Sequence, residues 1–98
     1  MAETAPAAAI DSRPEWRAHV DATADVPVAT NDDLRWADGL AFGTPTRFGN
    51  VSAQLKQFLD STGPLWMAGE LPNRTATAFT STGTLHGGAE ATILSLYQ

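Results

Sequence analysis

Two polar loops carry the residues whose types and spacing suit ligand chemistry. The first, residues 43–49 (GTPTRFG), offers threonine hydroxyls, backbone N–H groups, the guanidinium of Arg47 and the flat ring of Phe48. The second, residues 81–88 (STGTLHGG), offers further hydroxyls and glycines. Together these groups suit a planar, polar-edged and partly anionic ligand. The competing interpretation is a well-turned loop with a surface arginine, and the residues alone leave both open.

The residue sets that several other reactions need are missing. The loops hold no serine with a partnered histidine and acid, and no paired carboxylates, as hydrolysis would require. The phosphate motifs GxxxxGK(S/T) and GxGxxG are absent. With no cysteine, disulfides, thiolate metal sites and cysteine nucleophiles are excluded. His19 has no second ligand at helical spacing, so we predict no metal site and no side chain acting as nucleophile or acid-base.

Three positions near the loops have a structural interpretation beside a functional one. His86 can donate to a ligand, but a solvated loop histidine is the preferred interpretation. Gly87 and Gly88 permit either a close backbone approach to a ligand or a flexible entry to a helix. Trp66 either caps a ligand pocket or packs against the sheet.

The first loop lies between a predicted strand and a predicted helix. Residues 39–42 are a short apolar run bounded by turn residues, which is typical of a buried strand. A helix follows from about Asn50 as N-cap and stops at Gly63 and Pro64. A strand, a loop and a helix N-terminus in this order are where open α/β sheets bind anions. The apolar side of this helix consists of Val51, Leu55, Phe58 and Leu59.

The second loop has the same arrangement. Residues 75–80 (TATAFT) alternate in part and predict a strand, and a helix begins near Ala89. The order β–loop–α–β–loop–α predicts a parallel sheet with a right-handed crossover, in the α/β class. Both polar loops then leave the carboxyl ends of neighbouring strands, so we expect them to form a crevice.

The remaining segments have weaker patterns. Residues 1–27 are rich in alanine, proline and aspartate, and we predict an irregular segment with one helical turn at residues 15–19. Thr30 and Asp33 predict a capped helix start, where carboxylates suit the helix dipole better than a metal. Residues 64–72 predict an apolar loop between two prolines. We thus divide the chain into residues 1–27 and a partial domain at residues 28–98.

Composition narrows the classes of function. Ninety-eight residues with 43% apolar content suit one small domain. Six Lys plus Arg against eleven Asp plus Glu give a net charge of −5, which disfavours nucleic-acid binding. No apolar run approaches the roughly 20 residues that span a membrane. The first residues lack the basic segment of a signal peptide, and we expect a cytoplasmic protein.

Four short runs carry a resemblance to a known family. They are FGTPTRFGN at residues 42–50, FLDSTG at residues 58–63, the pair Leu65 and Trp66, and STGT at residues 81–84 with the two following glycines. From about residue 28 onward, the chain closely resembles the WrbA-type flavoproteins, which are flavodoxin-like, FMN-dependent NAD(P)H:quinone oxidoreductases. The resemblance implies a partial flavodoxin-like doubly wound parallel sheet, with about strands 3 and 4 and their helices.

The resemblance also implies FMN as cofactor, NAD(P)H as electron donor and a quinone as substrate. Hydride passes from NAD(P)H to FMN and two electrons then pass to the quinone, which requires no side-chain nucleophile. Arg47 would lie at the pyrimidine edge, where positive charge favours the reduced anionic flavin, and Trp66 would help form the substrate pocket. The implied FMN contacts are Pro45, Thr46, Arg47, Phe48, Gly49, Ser81, Thr82, Gly83, Thr84, Leu85 and His86.

Two parts of the family pattern have no counterpart in the sequence. These are the first strand with its hydroxyl-rich phosphate loop, and a C-terminal part with a histidine near the flavin. We therefore expect an internal fragment with two open sheet edges and impaired quinone reduction. The alternative is a non-catalytic flavin- or nucleotide-binding or assembly module. The resemblance further implies a homo-oligomer, in the form of a tetramer.

Overall fold

The computed structural model describes residues 4–97, and these form helices around a two-stranded sheet. The order from the first strand onward is strand, two helices, strand, helix, which confirms the predicted α/β class. The elements in chain order are α1 Ala7–Asp11, α2 Pro14–Ala22, α3 Asn31–Trp36, β1 Gly39–Pro45, α4 Ala53–Asp60, α5 Gly63–Met67, β2 Thr75–Ser81 and α6 Ala89–Tyr97.

The two strands pair in parallel, with Gly39 opposite Thr75 and Pro45 opposite Ser81. The chain between them, through α4 and α5, makes the crossover that a parallel pair requires. Both strands end at the same edge, so the two polar loops lie side by side as predicted. β1 is longer than the predicted residues 39–42 because its last residues also pair with β2. This arrangement is a partial flavodoxin-like sheet.

Helix α4 begins at Ala53, and the prediction of Asn50 as its N-cap is wrong. Ser52 is the cap: its Oγ accepts a hydrogen bond from the Leu55 N–H at 3.3 Å. The backbone N–H of Ser52 also donates to Thr44 Oγ1 at 2.9 Å, which ties the helix start to the end of β1. Asn50 instead belongs to a turn in the preceding loop.

Residues 63–67 form helix α5, where the sequence predicts a stop and an apolar loop. Pro64 stands in the first turn, where its missing N–H costs no hydrogen bond. Leu65 is fully buried and joins Ile10, Leu34 and Leu55 as the buried apolar residues among those described. The segment therefore packs its leucine into the core and leaves Trp66 exposed.

Helices α1 and α2 lie within residues 7–22, so the predicted helical turn at residues 15–19 is confirmed and the prediction of an irregular segment for the rest of these helices is wrong. Pro14 opens α2, and Arg17 pairs with Asp11 of α1 at 2.6 Å and with Asp21 one turn on at 3.6 Å. The Asp11 hydrogen bond raises the pKa of the Arg17 guanidinium. The division of the chain at residue 28 stays a prediction, and residues 1–3 lie outside the described residues.

The predicted capping pair opens α3. The backbone N–H of Thr30 donates to Asp33 Oδ2 at 2.8 Å, which confirms the capping-box interpretation. Near the C-terminal end of this helix, Arg35 forms a salt bridge with Glu70, with Nε to Oε2 at 2.7 Å. Hydrogen bonds to Glu70 and then Asp32 raise the pKa of the Arg35 guanidinium.

An apolar groove of about 450 Å³ runs along the free edge of β1. Consecutive strand residues 40–43 line it, together with Leu34, Leu55 and Phe58 from the flanking helices. Because both faces of the strand contribute, the groove marks an edge that pairs with no other strand of the described residues. The open edge expected for β1 is therefore present.

Candidate functional site

The two polar loops meet in one cleft of about 600 Å³ at the carboxyl ends of β1 and β2. This is the crevice that the strand order predicts, formed between neighbouring parallel strands. Both loops contribute to its walls in nearly equal measure. The lining residues are Pro45, Thr46, Arg47, Phe48, Ser81, Thr82, Gly83, Thr84 and Gly87.

A tight turn shapes the first loop. Arg47 N–H donates to Asn50 O and Asn50 N–H donates to Arg47 O, both at 2.9 Å. The two residues between them have positive φ, 52° at Phe48 and 75° at Gly49, as a two-residue type I′ turn requires. Glycine adopts this conformation freely, but an aromatic residue is strained there. Phe48 is nevertheless fully exposed, so its ring is presented to the cleft without burial in the core.

Arg47 brings positive charge to the cleft. Its guanidinium donates to Thr46 O at 3.0 Å, and it belongs to none of the ion pairs found within residues 4–97. Arg17, Arg35 and Lys56, in contrast, each pair with a carboxylate. Because no carboxylate of the described residues pairs with Arg47, its guanidinium can pair with an anionic ligand.

Threonine hydroxyls join the floor of the cleft across three elements. Thr92 is fully buried on α6, and its Oγ1 lies 3.3 Å from Thr46 Oγ1. Thr46 lies 3.2 Å from Thr80 Oγ1, and Thr80 donates to Thr44 O at 2.6 Å. Because each hydroxyl carries one proton and Thr80 gives its proton to Thr44 O, Thr46 donates either to Thr80 Oγ1 or to Ser81 O, and Thr92 donates either to Thr46 Oγ1 or to Gly88 O at 3.1 Å. This network fixes the first loop against β2 and α6.

Close backbone contacts fix the second loop. A Cβ added to Gly87 would lie 2.8 Å from Thr82 Cβ and 3.0 Å from Thr84 O, so no larger residue fits there without a shift. Gly88 has φ 90°, and its Cβ would lie 3.5 Å from Gly49 Cα, which places the two loops in contact. These contacts are within and between the two loops, and a close approach of Gly87 and Gly88 to a ligand stays a prediction.

Several predicted site residues stay away from the cleft wall. Trp66 lies on α5, 77% exposed, and does not line the cleft. Leu85 and His86 are exposed in the second loop, and Gly49 belongs to the turn of the first loop; none of the three lines the cleft. Their cofactor and substrate roles stay predictions. Thr80 and Thr92, which hold the loops together, were not predicted, since nothing local in the sequence distinguishes them from other threonines.

No group of three or more histidine or carboxylate side chains within residues 4–97 could hold a metal ion. In the same residues, no helix is both long and apolar enough to cross a bilayer.

Comparison with known proteins identifies the family. The sequence profile of the NADPH-dependent FMN reductases matches residues 9–96, nearly the whole chain. The chain belongs to the NADPH-dependent FMN reductase family. This confirms the flavoprotein resemblance, and the match begins at residue 9, well before the region that the short motifs cover.

Curated relatives of this FMN reductase family chain are named NAD(P)H dehydrogenase (quinone). The protein from Deinococcus radiodurans is 45% identical over 95 residues, which are 97% of this chain and 48% of that protein. The Geobacter sulfurreducens protein is 55% identical and the Aromatoleum aromaticum protein 57% identical over 76 residues, 78% of this chain and 37% of each relative. The chain thus spans about half the length, or less, of these relatives.

Proposed function

We propose that this chain forms the flavin-facing part of an FMN-dependent NAD(P)H:quinone oxidoreductase. The meeting of two polar loops in one cleft of about 600 Å³ carries the proposal. Family membership and the names of the relatives support it. When bound, FMN would supply the two-electron chemistry, with NAD(P)H as donor and a quinone as acceptor.

The residues of the cleft fit such a cofactor. Arg47 supplies an unpaired positive charge, which favours the electron-rich edge of a reduced flavin. Phe48 supplies a flat exposed ring, and Gly87 lets the second loop fold closely against Thr82 and Thr84. Thr46 has already committed its proton to Thr80 or Ser81, at 3.2 and 3.3 Å, so it supports the loop and accepts hydrogen bonds.

The test is a titration of the purified chain with FMN, followed by flavin fluorescence. We expect saturable quenching, and we expect Arg47→Ala to weaken binding by about tenfold, the value of one charge-assisted hydrogen bond. The matched control is Arg13→Ala, which removes the same charge from the exposed N-cap of α2, outside the cleft.

Two results would refute the cofactor assignment. One is a folded chain that does not quench FMN fluorescence, and the other is an equal loss in both arginine variants. If FMN binds, NADPH oxidation with a quinone then separates an enzyme from a module that only binds flavin. Impaired turnover of the isolated chain and assembly into a tetramer stay predictions, which the same assay and sedimentation of the chain address.

A further inference from the structure

A second and larger groove, of about 760 Å³, adjoins the cleft between the two polar loops, which we call the flavin cleft after the function proposed for it. It lies between helix α2 and the first loop, and we call it the α2 groove. Pro45 and Arg47 line both cavities, so the two spaces meet at the arginine. The rest of its wall includes Trp16, His19, Val20 and Val26.

The walls of the α2 groove combine apolar surface with positive charge. Trp16 offers a half-buried indole, and Val26 and Val28 line the groove while remaining 62% and 52% exposed. The ionisable groups on the wall are His19 and Arg47, although the chain holds eleven carboxylates. None of these carboxylates within residues 4–97 lines the groove.

We propose that the α2 groove binds aromatic anions, and that it selects quinones carrying an acidic substituent for the neighbouring flavin cleft. This inference rests on the proposed function for its substrate class. Arg47 would pair with the acidic group, while Trp16 and Val26 would cover the aromatic rings. Because Arg47 also lines the flavin cleft, an anion held there lies next to the proposed cofactor. Binding in the groove is non-covalent.

A single-tryptophan chain tests the groove without flavin. Trp36→Phe and Trp66→Phe together leave Trp16 as the only tryptophan, so its fluorescence reports on the groove. We expect anthraquinone-2-sulfonate to quench it saturably, after correction for absorbance. Adding Val26→Asp should weaken binding about threefold or more by like-charge repulsion. The matched control Leu94→Asp changes an equally exposed residue on α6, 61% against 62%, and should leave binding unchanged.

Four outcomes would overturn the inference. They are no saturable quenching, equal losses in the two aspartate variants, equal affinity for an uncharged hydroxymethyl analogue, and displacement of the sulfonate by lower concentrations of NADP⁺. The last would assign the groove to the nicotinamide donor. An FMN titration of the same chains separates this inference from the proposed function: FMN binding without sulfonate binding refutes the groove alone, whereas sulfonate binding without FMN binding refutes the cofactor assignment and the selection of quinones for it, and leaves the groove as a site for aromatic anions.

Discussion

Replacing the buried hydroxyl of Thr92 tests whether the threonine network holds the flavin cleft in shape. Thr92 is fully buried on α6, and its Oγ1 lies 3.3 Å from Thr46 Oγ1 and 3.1 Å from Gly88 O. It therefore reaches both loops of the cleft from one side chain. Thr92→Val keeps the shape of the side chain and removes only this connection.

The expected cost follows from what the variant leaves unpaired. Gly88 O keeps its hydrogen bond from the Thr92 backbone N–H at 3.1 Å, and Thr46 keeps Thr80 at 3.2 Å. No buried group is orphaned, so the loss is that of one net hydrogen bond, about 1 kcal/mol, rather than the larger penalty of an unsatisfied partner. In a domain of 98 residues this lowers the unfolding midpoint by about 4–8 °C.

The assay combines thermal unfolding with the FMN titration. If the network positions the loops, Thr92→Val lowers FMN affinity by up to about fivefold, the equivalent of that 1 kcal/mol. Thr92→Ser keeps the hydroxyl but loses a buried methyl, so it should lose stability and keep FMN affinity. The reasoning is refuted if Thr92→Val binds FMN as tightly as the unmodified chain, or if Thr92→Ser loses the same affinity.

Three further predictions follow from the same site. Gly87→Ala should reduce FMN affinity by about tenfold or more, since its Cβ would lie 2.8 Å from Thr82 Cβ, whereas Gly63→Ala, in open space on α5 outside the cleft, should bind normally; equal titrations of the two would contradict this. Phe48→Gly should raise the free energy of unfolding in urea by up to about 1 kcal/mol by relieving the positive φ, yet weaken FMN binding; a loss of stability would contradict it. Ser52→Ala should lower that free energy by about 1 kcal/mol through the lost cap, and an unchanged urea midpoint would count against the cap.

The sequence predicted which strands and helices form more accurately than it predicted the residues at which they begin and end. Both strands, their parallel pairing and the start of α6 at Ala89 follow from apolar runs and strand-helix alternation. The predicted ends were wrong where a residue type is favourable in two different local structures. Asn50 suits a helix cap and a tight turn equally, and here it pairs with Arg47 in the turn. Pro64 ends one helix in the prediction but opens the next in the structure.

The composition of the cleft was predictable, but its support was not. Parallel pairing alone brings the ends of β1 and β2 together, so the two loops had to meet. The threonine contacts cross 34 to 46 residues of sequence and depend on how α6 packs, which no local pattern reports. Helix α1 and the ends of α2 were likewise missed, because α2 buries no residue and so shows no apolar stripe, and because Pro14 opens that helix where a proline was expected to mark a loop.

The strain at Phe48 gives a physical reason for a ligand above the first loop. An exposed aromatic ring gains nothing from burial, and its φ of 52° costs energy, so neither feature stabilises the free chain. The turn is held instead by the paired Arg47 and Asn50 backbones and by Asn50 Nδ2, which donates to Phe48 O at 3.2 Å. The first loop is therefore ordered, with the Phe48 ring exposed, before a ligand binds. A planar ligand that covers the ring would recover apolar burial without paying again to order the loop, and the neighbouring guanidinium of Arg47 favours such a ligand when it is anionic.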